Sequence, residues 1–325
     1  MRLGVLDIGS NTVHLLIVDA WRGEPPRPVF TRKWRLLLAE RVGRDGSLGD
    51  EALNVLQRCL AEAKDLAGRL QVEDFLPFAT AVVRDAPNRD AVVGRLRATA
   101  GVELSLLSGW AEARLTFAAA RRWFGWSAGP MLLIDIGGGS LEIALGRDEV
   151  PSFAASHPLG AARLSREWLP DDPPFGKACR ATARHIRSQL DEVVVPVLRS
   201  QATPGLVVAT SKTFEQLARI AGAPSKGHGP FVTRELTFEG LDRWLPRLAR
   251  MSAEQRARLP GVSRHRSRQL LAGAIVAHTT MQALEVRRIR LCPWGVREGI
   301  VFRRLDSTRA ARWAALQRNG TWSQS

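Results

Sequence analysis

Apolar positions recur along the chain in two alternating rhythms. Between residues 50 and 70 they fall at Leu53, Leu56, Leu60, Ala63, Leu66 and Leu70, the spacing of a helix with one buried face. Shorter apolar runs, bounded by turn residues, predict strands: a strand near 28–38, one ending in "LPFAT" (76–80), "VELSLL" (102–107), a strand near 150–156, "GLVVAT" (205–210) and "RIRLC" (288–292). Helical patterns lie near 82–99, from about 110 to 124, at 160–168 and 176–200, and at the end of the chain.

The same unit occurs twice. Setting Asp7 on Asp135, an offset of 135 − 7 = 128, lays "DIGSNTVHLLIV" (7–18) over "DIGGGSLEIALG" (135–146). Each copy predicts strand, tight glycine turn, strand, glycine serving for its positive φ and for close approach. Together with the segments after it, each copy predicts the order βββαβαβα. Alternating strands and helices imply a mainly parallel sheet covered by helices, opened by an antiparallel hairpin. Two such α/β units side by side leave a cleft with one glycine turn on each wall. The pattern is interrupted at "GWSAGP" (125–130), so the expected division is 1–127 and 128–305, with 306–325 as a loosely held tail.

At 325 residues the chain suits two domains of about 150 residues each. It has no run near the roughly 18 apolar residues of a membrane span and opens without a secretory-type apolar region, so no membrane partner and a cytoplasmic location are expected. Cys59, Cys179 and Cys292 form no C-x-x-C pair, which predicts buried thiols rather than disulfides or zinc ligands. The net charge of +15 favours polyanions such as polyphosphate, nucleotides or nucleic acid. Arginine far outnumbers lysine, so coding composition accounts for that charge as readily as a binding surface does. No motif of specific nucleic-acid recognition accompanies it.

Backbone N–H groups converging where side chains are absent bind phosphate, helped by small hydroxyl residues. Gly9, Ser10, Asn11 and Thr12 in the first turn, and Gly137, Gly138, Gly139 and Ser140 in the second, have that chemistry. Neither is a Walker A loop or a dinucleotide fingerprint. One such turn would read as an ordinary hairpin; two copies, each ending a strand on an aspartate, favour phosphate. Carboxylates beside a phosphate repel it unless a divalent cation intervenes, which makes Asp7, Asp135 and Glu142 metal candidates, for magnesium. The repeat mate of Glu142 is His14, so the metal is expected nearer the second turn. Arg84 follows one strand and can clamp phosphate. Glu112 opens a helix, where the helix dipole is expected to keep it ionised as a base for an attacking water. Lys212 is a weaker phosphate candidate.

These residues resemble the exopolyphosphatase and guanosine pentaphosphate phosphatase family, Ppx/GppA, of the actin, sugar kinase and Hsp70 fold superfamily. The resemblance is carried in order by "DIGSNTVHLLIVD" (7–19), "FATAVVRDAPN" (78–88), "EARLTF" (112–117), "DIGGGSLE" (135–142), "HPLGAARL" (157–164) and "REGIV" (297–301), over about residues 1–305. It implies two ribonuclease H-like domains, an interdomain cleft for a phosphate chain, magnesium, and hydrolysis of a terminal phosphoanhydride. It gives Glu112 the place of the catalytic glutamate, Asp135 and Glu142 those of metal-associated acids, and Arg84 that of a phosphate-binding arginine. The substrates implied are inorganic polyphosphate or guanosine pentaphosphate, the latter linking the chain to the stringent response, and a homodimer is the common assembly. The chain departs from the family at Trp110 and Ala111, where acids are usual, at Ser211–Lys212, where a glycine-rich turn is usual, and at His157, where an apolar residue is usual. The first departure leaves open a weakly catalytic sensor of polyphosphate or guanosine tetraphosphate.

Overall fold

The computed structural model describes residues 1–318 except Arg44, Ala202 and Thr203; residues 319–325 lie outside the described part. The first half runs β1 (Arg2–Ile8), β2 (Val13–Asp19), β3 (Arg27–Trp34), α1 (Asp50–Arg69), β4 (Asp74–Ala79), α2 (Ala81–Arg84), α3 (Arg89–Ala100), β5 (Ser105–Leu106) and α4 (Gly109–Phe124). The second runs β6 (Met131–Ile136), β7 (Leu141–Gly146), β8 (Phe153–His157), α5 (Ala161–Glu167), α6 (Gly176–Arg199), β9 (Leu206–Ala209), α7 (Lys212–Ile220), β10 (Glu235–Thr237), α8 (Phe238–Arg250), α9 (Ala253–Arg256), α10 (Ser267–Ala283), β11 (Arg288–Leu291) and α11 (Val296–Arg318).

The predicted repeat is present in the sheets. One has the order β3-β2-β1-β4-β5 and the other β10-β11-β9-β6-β7-β8, so β6, β7, β8, β9 and β11 occupy the places of β1 to β5. In each, an antiparallel hairpin leads into parallel pairing, β1 with β4 and β6 with β9. The mixed α/β class is therefore as expected.

Three differences have physical reasons. The predicted helix at 82–99 is broken between Arg84 and Arg89 across "DAPN", because Pro87 cannot donate a helical hydrogen bond and disfavours helix in the residue before it. The second half is longer than its mate by β10, α8, α9 and α10; α10 is buried along nearly its whole length and gives no amphipathic rhythm. The segment from Asp306, expected as a tail, continues helix α11 through Arg318, and Asp306 itself pairs with Arg122 at 2.7 Å. Of the three cysteines, Cys59 and Cys292 are buried as expected, whereas Cys179 is half-buried.

Helix α1 shows how local sequence becomes packing. Asp50 and Glu51 complement the helix dipole in its first turn, and Leu53, Leu56, Leu60 and Ala63 bury the predicted stripe against β1 and β2. The last helix of each half lies between the sheets. Phe117 of α4 packs with Met131 and Leu133 of β6, whereas Ile300 and Val301 of α11 pack with Leu3 and Val5 of β1. The two helices meet closely: a side chain at Gly299 would lie 2.2 Å from the Leu115 carbonyl oxygen. This packing sets Glu112, at the start of α4, between the two glycine turns.

Candidate functional site

Both glycine turns close in the same way. The Gly9 amide donates to the Thr12 carbonyl at 3.1 Å, and the equivalent Gly137 amide donates to the Ser140 carbonyl at 2.9 Å. Cross-strand register then sets Asp7 opposite His14 and Asp135 opposite Glu142, each pair on one face of its hairpin. None of these turn glycines has a positive φ. Their use is close approach: a Cβ on Gly138 would fall 2.7 Å from the Ser10 Cβ, and one on Gly139 would fall 2.6 Å from the Ala81 Cβ. Behind the second turn, the Gly137 and Gly138 carbonyls accept from the Ala161, Ala162 and Arg163 amides at the start of α5. Gly160 has no room for a side chain there, since its Cβ would stand 2.3 Å from the Gly139 carbonyl carbon. The first turn is backed instead by the Leu37 and Ala39 amides.

Between the turns lies a cleft of about 880 Å³, which Asp7, Glu112 and Asp135 line together with both turns. Glu142 is buried beside it and accepts from the Ser156 hydroxyl at 2.8 Å. Burial opposes the ionisation expected of Glu112. Burial first, then the neighbouring Glu142 charge, pushes its carboxyl well above the ordinary range, against the pull of Arg84, whose Nη1 lies 3.2 Å from Oε2. The helix dipole acts on an exposed first turn, and this one is enclosed with other acids. Burial and Asp135 likewise push Glu142 up to about 7. Burial raises Asp135 as well, with the Asp7 charge adding to it. Asp7 is raised by burial too, but Arg297 donates to it at 3.0 Å and offsets part of that cost.

Buried acids that raise one another toward protonation form a donor set suited to a cation. Among the described residues no three His, Cys, Asp or Glu side chains form a ready-made ligand group.

The opposite end of the cleft is basic. Lys33, Lys212, Lys226 and Arg266 line it, with Arg297 between the two ends. Lys226 and Lys212 reach Glu215 at 2.6 and 3.1 Å and hold its carboxyl below the usual range despite burial. Burial, then Arg297 and Lys226, lowers Lys33. His14, which donates to or accepts from Thr31 at 2.6 Å, is pushed down to about 2 by burial, then by Arg297 and Lys33, and is neutral.

Of the sequence candidates, the two turns, Asp7, Glu112 and Asp135 share one cleft. Glu142 lies outside that lining, and two further candidates stand differently. The Asn11 side chain, in the cleft wall, is buried in a reciprocal pair with Gln269, at 3.0 and 2.9 Å, so its amide joins the halves. Arg84 faces a second, smaller cavity, bound through Nε to Asp85 at 2.8 Å. Sequence reasoning does not single out Lys33, Lys226, Arg266 or Arg297. The last stands in the quoted "REGIV" segment, which is the available signal; Lys226 and Arg266 sit in single 3-10 turns, too short for a rhythm to place them.

A family model described as the Ppx/GppA phosphatase family matches residues 16–308. A protein of Mycobacterium leprae named exopolyphosphatase 1 is 47% identical over 307 residues, covering 94% of this chain and 90% of its own. The protein of that name from Mycobacterium tuberculosis is 48% identical, with 94% and 89% covered. Among solved structures, an exopolyphosphatase from Cytophaga hutchinsonii superposes with a TM-score of 0.82 at 21% identity, covering 94% of this chain and 98% of that one. The Aquifex aeolicus Ppx/GppA family member superposes with a TM-score of 0.78 at 23% identity, covering 95% and 98%. These two likenesses concern the fold.

Proposed function

The chain belongs to the Ppx/GppA phosphatase family, and on that premise we propose the reaction its cleft performs. It is an exopolyphosphatase, a hydrolase that releases terminal orthophosphate from inorganic polyphosphate. The observation that carries this reading is the polarity of the cleft, with acids around Glu112 at one end and Lys33, Lys212, Lys226 and Arg266 at the other. A polyanion can lie along the basic end while its terminal phosphoryl group meets the acidic one.

The backbone amides of Gly138 and Gly139, with the Ser10, Thr12 and Ser140 hydroxyls, orient the terminal group. Asp135 and Glu142, with Asp7 across the cleft, would hold a magnesium ion, whose chemistry is to offset charge on the transferred phosphoryl oxygens. Glu112 accepts the proton of the attacking water, and for that it must be ionised; Arg84, 3.2 Å away, favours the ionised form. Membership also implies a homodimer in the cytoplasm, and mass in solution checks the assembly; no described helix is long and apolar enough to cross a membrane.

The experiment is orthophosphate release with magnesium from long polyphosphate, tripolyphosphate and guanosine pentaphosphate at equal concentrations of terminal groups. Preferred release from polyphosphate is expected. Preference for the nucleotide would make this chain a guanosine pentaphosphate phosphatase, and binding without release would make it a polyphosphate or alarmone sensor.

A further inference from the structure

The wall of the acidic end is thin. Glu112 lines the main cleft, and Arg84, its partner at 3.2 Å, lines a second cavity of about 340 Å³ together with Asp85, Gly109, Trp110 and Pro158. Ser140 of the second glycine turn lines both. The two spaces therefore share Ser140 and meet across the Glu112–Arg84 contact, beside the place where the terminal phosphoryl group would be cut. Trp110, at the rim of that cavity, is 54% exposed, with the Arg114 guanidinium 4.1 Å from its ring centre.

A long chain held along the basic end stays in place after its last unit is removed. It then occupies the route by which it entered, and orthophosphate is left beneath it at the acidic end. From this geometry we infer that the cavity bounded by Arg84, Trp110 and Pro158 is the exit for orthophosphate, which leaves without passing the polymer. The inference rests on the exopolyphosphatase reading. Arg84 is placed to carry the anion across. Its carboxylate partners stand on the two sides of the wall, Glu112 at the cleft and Asp85 at the second cavity. An incoming phosphate that exchanges one partner for the other moves from one space to the next without losing a cationic contact. Ser156 and Ser140 line the way with hydroxyls.

The test obstructs the exit reversibly. Trp110→Cys is modified with a bulky methanethiosulfonate, and first-turnover and steady-state orthophosphate release are compared in the same preparation before modification, after it, and after reduction. Wild-type protein treated alongside controls for Cys59, Cys179 and Cys292. On long polyphosphate the modified protein is expected to keep its first turnover and to slow in the steady state by about tenfold, as when product release limits the rate. Reduction restores it. Tripolyphosphate, whose remnant can leave by the front, is slowed less. Pro158→Trp, which narrows the opposite rim without a thiol, should reproduce the pattern. A steady-state rate indifferent to the obstruction, or a first turnover slowed in the same proportion, overturns the exit. Failure of the unmodified wild-type protein to release orthophosphate overturns the exopolyphosphatase reading instead.

Discussion

The two glycine turns have one backbone design and opposite electrostatics. At the first, Asp7 faces a neutral His14 across the hairpin and is countered by Arg297. At the second, Asp135 faces Glu142 at the same register, the Ser156 hydroxyl donates to Glu142, and Glu112 adds a third acid from α4. A duplicated fold thus gives two copies of a phosphate-binding turn. One cross-strand position, histidine in one copy and glutamate in the other, decides which copy concentrates the uncompensated negative charge. That is the copy where a divalent cation and the reacting phosphoryl group belong in our proposal.

The largest effect expected concerns the acid that serves both turns. Glu112→Gln keeps the size of the side chain and its contact with Arg84 but cannot take a proton. Orthophosphate release should fall by about 10²- to 10⁴-fold while polyphosphate binding is retained. Stopped assays of release beside filter binding of labelled polymer would check both.

Steric tests of the turn come next. Gly138→Ala drives a methyl group into Ser10 of the other turn, 2.7 Å from its Cβ, and should part the turns and lower activity by about tenfold or more, a small misplacement at a phosphoryl site being costly. Gly137→Ala meets only the Ser140 carbonyl, at 3.4 Å, and should be mild by comparison. Equal effects would remove the argument that the glycines serve contact between the halves.

A smaller effect is the dependence of stability on pH in the absence of divalent cations. Glu142, Glu112, Asp135 and Asp7 all bind protons more readily in the folded chain than in the unfolded one. The stability this gives is complete below the ordinary carboxylate range and is lost as pH rises through the folded values, which for Glu142 is about 7. Melting temperature in a chelator should therefore fall between about pH 5 and pH 7, and Glu142→Gln should flatten that fall. Surface acids held below their usual range, such as Asp45 beside Ser47, lose their contribution only at more acidic pH and leave this window clear.

Much of this site is legible in the sequence because it is repeated. The offset that pairs Asp7 with Asp135 also pairs His14 with Glu142, and strand alternation brings each pair to one face. Helix α1 is legible from its stripe, and Arg84 and Glu112 from their places after strands. What sequence does not carry is which sheet a helix covers: α4 follows β5 in the chain but packs on β6, so the enclosure that raises Glu112 is invisible there and its dipole alone misleads. Glycine in a tight turn suggests positive φ, yet the reason for these glycines is a neighbour distant along the chain, Ser10 for Gly138 and Ala81 for Gly139. Lys226 and Arg266 come to the cleft from 3-10 turns of three residues, too short for periodicity to assign a direction.

The most direct measurement of the asymmetry is the rise in melting temperature on adding magnesium at pH 8, compared among wild type, Glu142→Gln and His14→Gln. A cation that binds only the folded chain raises its stability in proportion to its affinity there. A clear rise is expected for wild type and for His14→Gln, with its loss in Glu142→Gln. A full rise in Glu142→Gln, or a loss in His14→Gln instead, would place the cation at the other turn and refute the asymmetry.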